Sequence, residues 1–224
     1  MTFTNIEFIG SVFIFVFSLV IHENAHARVA YYLGDSTARD MGRFSFNPLK
    51  HLSLISILLP IGLYLMHAPM ISFAKPVMYK QSSFKRPILD TILVALAGPF
   101  SNLILATIGF LLCNRLTVLP EALLLYINKL LVIMVFVNLI LCAFNLIPIP
   151  PLDGSVIYMS TLTAKKPGIA LILSYGGLTI LICLAIALPL IGETQGKDYD
   201  MVSSYINWFI NTFYSVLSPW LAKG

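Results

Sequence analysis

Residues 8–27 read FIGSVFIFVFSLVIHENAHA, an apolar run from Phe8 to Ile21 that ends in a His-Glu-x-x-His stretch, His22 to His26. Two histidines at i and i+4 of an α-helix share one face about 6 Å apart, so their ring nitrogens can converge on one zinc ion. Glu23 stands beside them, placed to take a proton from an attacking water. Three ionisable side chains in a membrane helix are costly unless they pair, bind a metal or face water. The stretch therefore predicts zinc-dependent hydrolytic chemistry within a membrane.

The rest of the composition agrees with that setting. Of 224 residues, 58% are hydrophobic and only 11% charged, and the mean hydropathy is +0.88. Soluble domains carry about 25% charged residues, so this chain is an integral membrane protein. At about 20 residues per span it has room for five or six membrane segments and no sizeable soluble domain. The net charge of +4 does not point to nucleic acid, because the lysines and arginines lie in short loops between apolar runs, where they act as topology signals. The three cysteines show no Cys-x-x-Cys spacing and read as small membrane-core residues. The N-terminal apolar run lacks a basic flank, and cleavage after it would destroy the metal motif, so it reads as a retained helix rather than a signal peptide.

The first helix is expected from about residue 6 to 33, stopped by Gly34. Arg28 reads as marking its end. Residues 34–50, GDSTARDMGRFSFNPLK, alternate in polarity and contain Gly34, Gly42 and Pro48, which predicts a small membrane-associated hairpin or an interfacial segment rather than a helix. Its segment Phe44, Ser45, Phe46 is a candidate edge against which an extended substrate adds as a strand. Residues 52–71 are apolar but broken by Pro60, Gly62 and Pro69. Helices are then expected over about 87–113 and 120–144, followed by the proline-broken stretch NLIPIPPLDG at 145–154 and two further apolar runs, 168–191 and 202–220. The fold class is an all-α polytopic membrane protein: about five full transmembrane helices, a re-entrant or short sixth apolar segment, and the hairpin. Residues 1–160 form a catalytic membrane core, and 161–224 two peripheral transmembrane helices.

A catalytic zinc site needs a third protein ligand. Asp153 is the one acidic residue outside the first motif that sits in an apolar, proline-broken stretch at the end of a long helix. It reaches the histidines only if residues 52–71 turn back instead of crossing. The re-entrant arrangement also gathers Arg28, Arg39, Arg43, Lys50, Lys75, Lys80, Lys85, Arg86, Lys165, Lys166 and Lys223 on the cytoplasmic side, as the positive-inside rule asks. Both considerations favour a non-crossing segment, with the N-terminus outside and the C-terminus inside, and the basic residues after the first helix place the metal motif toward the cytoplasm.

The motifs together resemble the site-2 protease family of intramembrane zinc metalloproteases. HENAH is similar to its first signature and FNLIPIPPLDG to its second, while GRFSFNPLKHL, FAKPV and ALAGPFSNL resemble segments of compact prokaryotic members that lack PDZ and CBS domains. The likeness covers about residues 15–160. It implies one zinc ion held by His22, His26 and Asp153, Glu23 as general base, and cleavage of a transmembrane segment of a membrane-protein substrate, as in regulated intramembrane proteolysis. A prokaryotic cytoplasmic membrane is the implied location, with the lipid bilayer and the substrate segment as partners and no nucleic acid.

Other polar residues divide between readings. Asn145 either contacts the substrate carbonyl or oxyanion or caps its helix. Asn102, near Gly98 and Pro99, reads as an aid to close helix packing ahead of a substrate contact. His51 and His67 read as interfacial or loop residues, Lys129 as a snorkelling side chain, and Trp208 and Trp220 as interfacial anchors. Two other classes stay open: a zinc transporter, which needs further ligands along a path, and a catalytically silent chaperone or scaffold, which has no use for Glu23.

Overall fold

A computed structural model describes residues 5–51, 78–113, 120–195 and 200–221, and among them every regular element is helical. Helix α1 spans Asn5–Tyr32, the one-turn α2 Thr37–Asp40, α3 Pro87–Cys113, α4 Glu121–Asn145 and α5 Val156–Lys165. Helix α6, Pro167–Ile182, runs on through a widened π turn, Cys183–Ala187, into α7, Leu188–Gln195; α8 is Met201–Leu221. Three stretches, Ile9–Tyr32, Pro87–Cys113 and Leu123–Asn145, are long and apolar enough to cross a membrane, and the chain is an integral membrane protein. Helix α8 is less apolar because Ser204, Asn207, Asn211 and Ser215 line one exposed face.

Contacts along the helices fix their directions. Gly10 lies against Leu130 and Ser18 bonds Asn138, so α1 and α4 run parallel in constant register. His22 meets Asn102 and His26 meets Val94, so α3 runs antiparallel to α1. The chain therefore leaves α1 and enters α3 at the same end of the bundle. Residues 52–71, expected to turn back, lie outside the described residues. Their described flanks both attach near the C-terminal half of α1: His51 beside Asn24, and Lys80 through its N–H to Asp35 Oδ2 at 2.8 Å.

Helix α1 ends where expected. Gly34 takes φ 110°, Asp35 N–H bonds Ala30 O at 2.9 Å, and Gly34 N–H bonds Tyr31 O at 3.0 Å, a Schellman closure. Arg28 does not mark that end; it lies a turn earlier, its guanidinium over the rings of Phe44 and Phe46 at 5.5 and 5.8 Å.

The predicted hairpin is not formed. Residues 34–50 fold as α2, an irregular stretch and a 3-10 turn, Pro48–Lys50, with no strand. Their alternating polar residues serve as caps instead. Asp35 Oδ1 accepts from the Thr37 hydroxyl at 2.6 Å, and Asn47 Oδ1 accepts from Leu49 N–H at 3.0 Å. Local side-chain bonds of this kind compete with a strand ladder.

The two largest apolar clusters among the described residues pack α3, α4, α6 and α8 together. Ala106 and Phe110 of α3 pack with Val135 and Leu139 of α4 and Ile210 and Phe213 of α8. Phe144, Ile147, Leu152 and Leu181 form the second, under the proline-broken stretch. There α6 approaches so closely that a Cβ on Gly177 would strike the Pro150 carbonyl, whereas Gly176 has nothing within 4 Å. Gly177→Ala is accordingly expected to destabilise the fold by about 1–3 kcal/mol through overpacking. Gly176→Ala is expected to be neutral or to stabilise by up to about 1 kcal/mol. Thermal unfolding in detergent micelles separates the two.

Candidate metal centre

The ligand-bearing turn of α1 is buried: His22 and His26 are covered, and so is Glu23 at 6% exposure. Each histidine has its Nδ1 committed. His26 Nδ1 lies 2.7 Å from Val94 O, which can only accept, so that nitrogen carries the proton. His22 Nδ1 lies 2.6 Å from Asn102 Oδ1.

The orientation of Asn102 is itself determined. Asn138 Nδ2 donates to Met134 O and to Ser18 Oγ, both at 2.9 Å, leaving Asn138 Oδ1 to accept from Asn102 Nδ2 at 2.8 Å. The Asn102 carbonyl oxygen must then face His22, whose Nδ1 donates. A chain running from the Met134 carbonyl through two amides thus sets the tautomer of a histidine on another helix. In a neutral ring with Nδ1–H, Nε2 is a lone pair.

Those two lone pairs converge with a carboxylate. His22 Nε2 and His26 Nε2 are 3.0 Å apart, and Asp153 Oδ2 lies 3.2 and 3.3 Å from them. Asp153 Oδ2 is buried and has no hydrogen-bond donor among the described residues. Three acceptors this close repel one another unless a cation sits among them. A tetrahedral zinc with ligands at about 2.0–2.1 Å sets ligand separations of about 3.3 Å. The triangle fits zinc by donor type and by size, and three protein ligands are the number that leaves a catalytic position open.

Asp153 arrives there because α4 runs parallel to α1. Beyond Asn145 the chain turns at Leu146 and Ile147, cannot stay helical through Pro148, Pro150 and Pro151, and re-enters regular structure as a 3-10 turn, Asp153–Ser155. A Cβ on Gly154 would collide with the backbone of Leu146, so the returning strand of this turn fits only glycine. On the opposite side, a Cβ on Gly98 of α3 would strike the imidazoles of His22 and His26. The backbone of α3 thus forms one wall of the site.

Glu23, next along α1, is within electrostatic reach of His22, His26, Asp153 and His51. Asn145 is outside the ligand cluster; its Nδ2 donates to Leu141 O at 2.9 Å and completes the last turn of α4. Phe44 packs on Ala27 and Ala38, Phe46 is 63% exposed, and the Ser45 carbonyl is bonded by Asn24 and His51. His51 is fully buried, not interfacial, and Asn102 does more than ease packing. The signal for Asn102 and Asn138 was present in the sequence: an amide inside an apolar membrane helix needs a polar partner there. Nothing in the sequence named that partner.

Residues 115–186 match the family model described as Peptidase family M50, a segment that contains α4 and Asp153 but not the two histidines. The chain is 41% identical over 143 residues to "Putative zinc metalloprotease YwhC" of Bacillus subtilis, covering 62% of this chain and 63% of that protein. It is 31% identical over 138 residues to "Putative zinc metalloprotease Rip2" of Mycolicibacterium smegmatis, covering 61% of this chain and 51% of that protein. The alignments thus span between half and under two thirds of the relatives' lengths. No solved structure matches the chain.

Asn102→Ala removes the acceptor that orients His22. Loss of such a partner typically weakens metal binding about 10–100-fold. Competition with a chromophoric chelator is expected to show a drop in zinc affinity of that order for Asn102→Ala and none for Asn145→Ala.

Proposed function

We propose that the chain is a member of the M50 peptidases, the site-2 protease family, to which its family-model match and its relatives point, and that it is a zinc metallopeptidase that cleaves membrane-protein substrates within a transmembrane segment. The observation that carries the reading is the convergence of His22 Nε2, His26 Nε2 and Asp153 Oδ2, with a buried glutamate beside them. Zinc held by these three side chains supplies Lewis-acid polarisation of a carbonyl and a water whose pKa falls toward about 7.

The residues of the chain do the rest. Glu23 accepts the proton of the attacking water on its carboxylate and passes it to the leaving amide nitrogen, so that water adds across the peptide C–N bond. Val94 and Asn102 keep both Nδ1 protons in place, so neither ligand can rotate its lone pair away. A peptide bond in a helix is shielded by its own hydrogen bonding, so the substrate segment unwinds locally before attack. Phe44 to Phe46, although not part of a hairpin, offer it backbone groups to pair with in extended form.

The same proposal includes the finer placement. Five full spans with residues 52–71 turning back put the site in the cytoplasmic half of a prokaryotic cytoplasmic membrane. Residues 1–160 are the catalytic core and 161–224 the peripheral part, and release of a membrane-tethered regulator is the fitting biological use. A transporter reading is less well supported, because among the described residues only one group of three ligands is found.

Glu23→Gln is the test. Assayed in membranes with a co-expressed transmembrane reporter, it is expected to abolish cleavage while zinc stays bound; unchanged processing sinks the peptidase reading, and loss of zinc flux in vesicles installs a transporter. Replacing Phe44 and Phe46 by proline removes two backbone donors, and a loss of about tenfold or more in cleavage is expected, the effect of about one hydrogen bond.

A further inference from the structure

The loop at residues 43–47 is fastened to α1 more firmly than a connection requires. The Ser45 carbonyl accepts from Asn24 Nδ2 at 2.8 Å and from His51 Nε2 at 2.6 Å, and Asn24 Nδ2 also donates to Val20 O at 3.0 Å. Asn24 is 3% exposed and His51 fully buried. A carbonyl in a loop is ordinarily served by water or backbone; here two buried side chains serve one oxygen. One turn further along α1, Arg28 covers the rings of Phe44 and Phe46, and Arg43 Nη1 donates to Lys50 O at 2.6 Å.

Neither Asn24 nor His51 is among the three side chains that could hold the metal. Asn24 Oδ1 and His51 Nδ1 are buried without a partner among the described residues. An unmet buried acceptor is destabilising, so the pair is poorly explained as packing. What both side chains do have in common is the Ser45 oxygen.

We propose that Asn24 and His51 are positioning residues: together they clamp the Ser45 carbonyl and so fix which edge of the loop, and in what register, meets the backbone of an extended substrate segment. Phe44 lies at a bend, and Ser45 and Phe46 follow it without regular secondary structure. With the Ser45 oxygen held against α1, the backbone groups of its neighbours are the ones left to meet a substrate. Asn24 directly follows Glu23, so the clamp ties the loop to the same rigid helix that carries the base and both histidines. This proposal rests on the peptidase reading of the site.

The test uses the full-length zinc-loaded protein in detergent micelles and a quenched fluorogenic peptide built on one apolar helix, with Glu23→Gln as the blank. His51→Ala is expected to raise KM about tenfold with kcat within about twofold, the signature of one hydrogen bond lost from positioning. Zinc content is expected to match the wild type. His51→Gln, whose Nε2 can donate to the same oxygen, is expected to restore KM. Hydrogen exchange provides a readout independent of cleavage. The Asn47 and Leu49 amides, bonded to Ser45 Oγ and Asn47 Oδ1, are expected to exchange faster in His51→Ala and to recover in His51→Gln.

A fall in kcat at constant KM, loss of zinc, no difference between the alanine and glutamine variants, or unchanged exchange each overturns the clamp. If the wild type cleaves no more than Glu23→Gln, the peptidase reading fails by itself and the substrate role of the clamp falls with it. Exchange then still decides whether the two side chains hold the loop.

Discussion

Three unshared electron pairs, on His22 Nε2, His26 Nε2 and Asp153 Oδ2, face one another across 3.0 to 3.3 Å. Such an arrangement is repulsive without a cation, and much of the fold exists to maintain it. Helix α1 supplies two of the pairs by simple periodicity. Helix α3 holds their backs through Val94 O and Asn102 Oδ1, and its Gly98 lets the backbone approach the rings. Helix α4, parallel to α1, delivers the third pair only because its end is broken by proline and its last turn admits Gly154.

Water is absent from a bilayer core, so each polar group placed there must find its partner within the protein. The run from Met134 O through Asn138 and Asn102 to His22 satisfies that demand and at the same time sets a tautomer. In water the same amides would exchange partners freely and His22 would present either nitrogen. The apolar surroundings make a hydrogen bond that is individually worth about 1 kcal/mol into a switch-free selection. Stability and ligand preparation here come from one set of contacts.

The site was more legible in the sequence than the surroundings that prepare it. The i, i+4 histidines and the solitary Asp153 follow from helical spacing and from the cost of charge in apolar segments, both local or nearly local properties. The Gly34 stop was equally local, and Gly34 takes the left-handed conformation a helix end favours. By contrast, residues 34–50 alternate in polarity because Asp35 and Asn47 bond backbone N–H groups at the starts of short helical turns, and alternation alone does not distinguish such bonds from a strand face. Asn102 meets His22 from another helix, 80 residues away, and the Ser45 oxygen is reached from α1 by Asn24, 21 residues away. Pairings of that range depend on the register between helices, which no single-sequence period encodes.

Helix α1 explains why so much converges on one turn. Successive residues of a helix are rotated by about 100°, so His22 and His26 point one way, Asn24 and Arg28 lie almost opposite, and Glu23 falls between. The metal ligands and the groups touching the 44–46 loop are thereby carried on two faces of one rod, with the base on the flank that joins them. A displacement of the rod moves ligands, base and loop together. Their mutual alignment is therefore insensitive to how α1 sits in the bilayer, and depends instead on contacts one or two turns long. That is a useful property for chemistry in a lipid solvent, where helices tilt easily but rarely unwind.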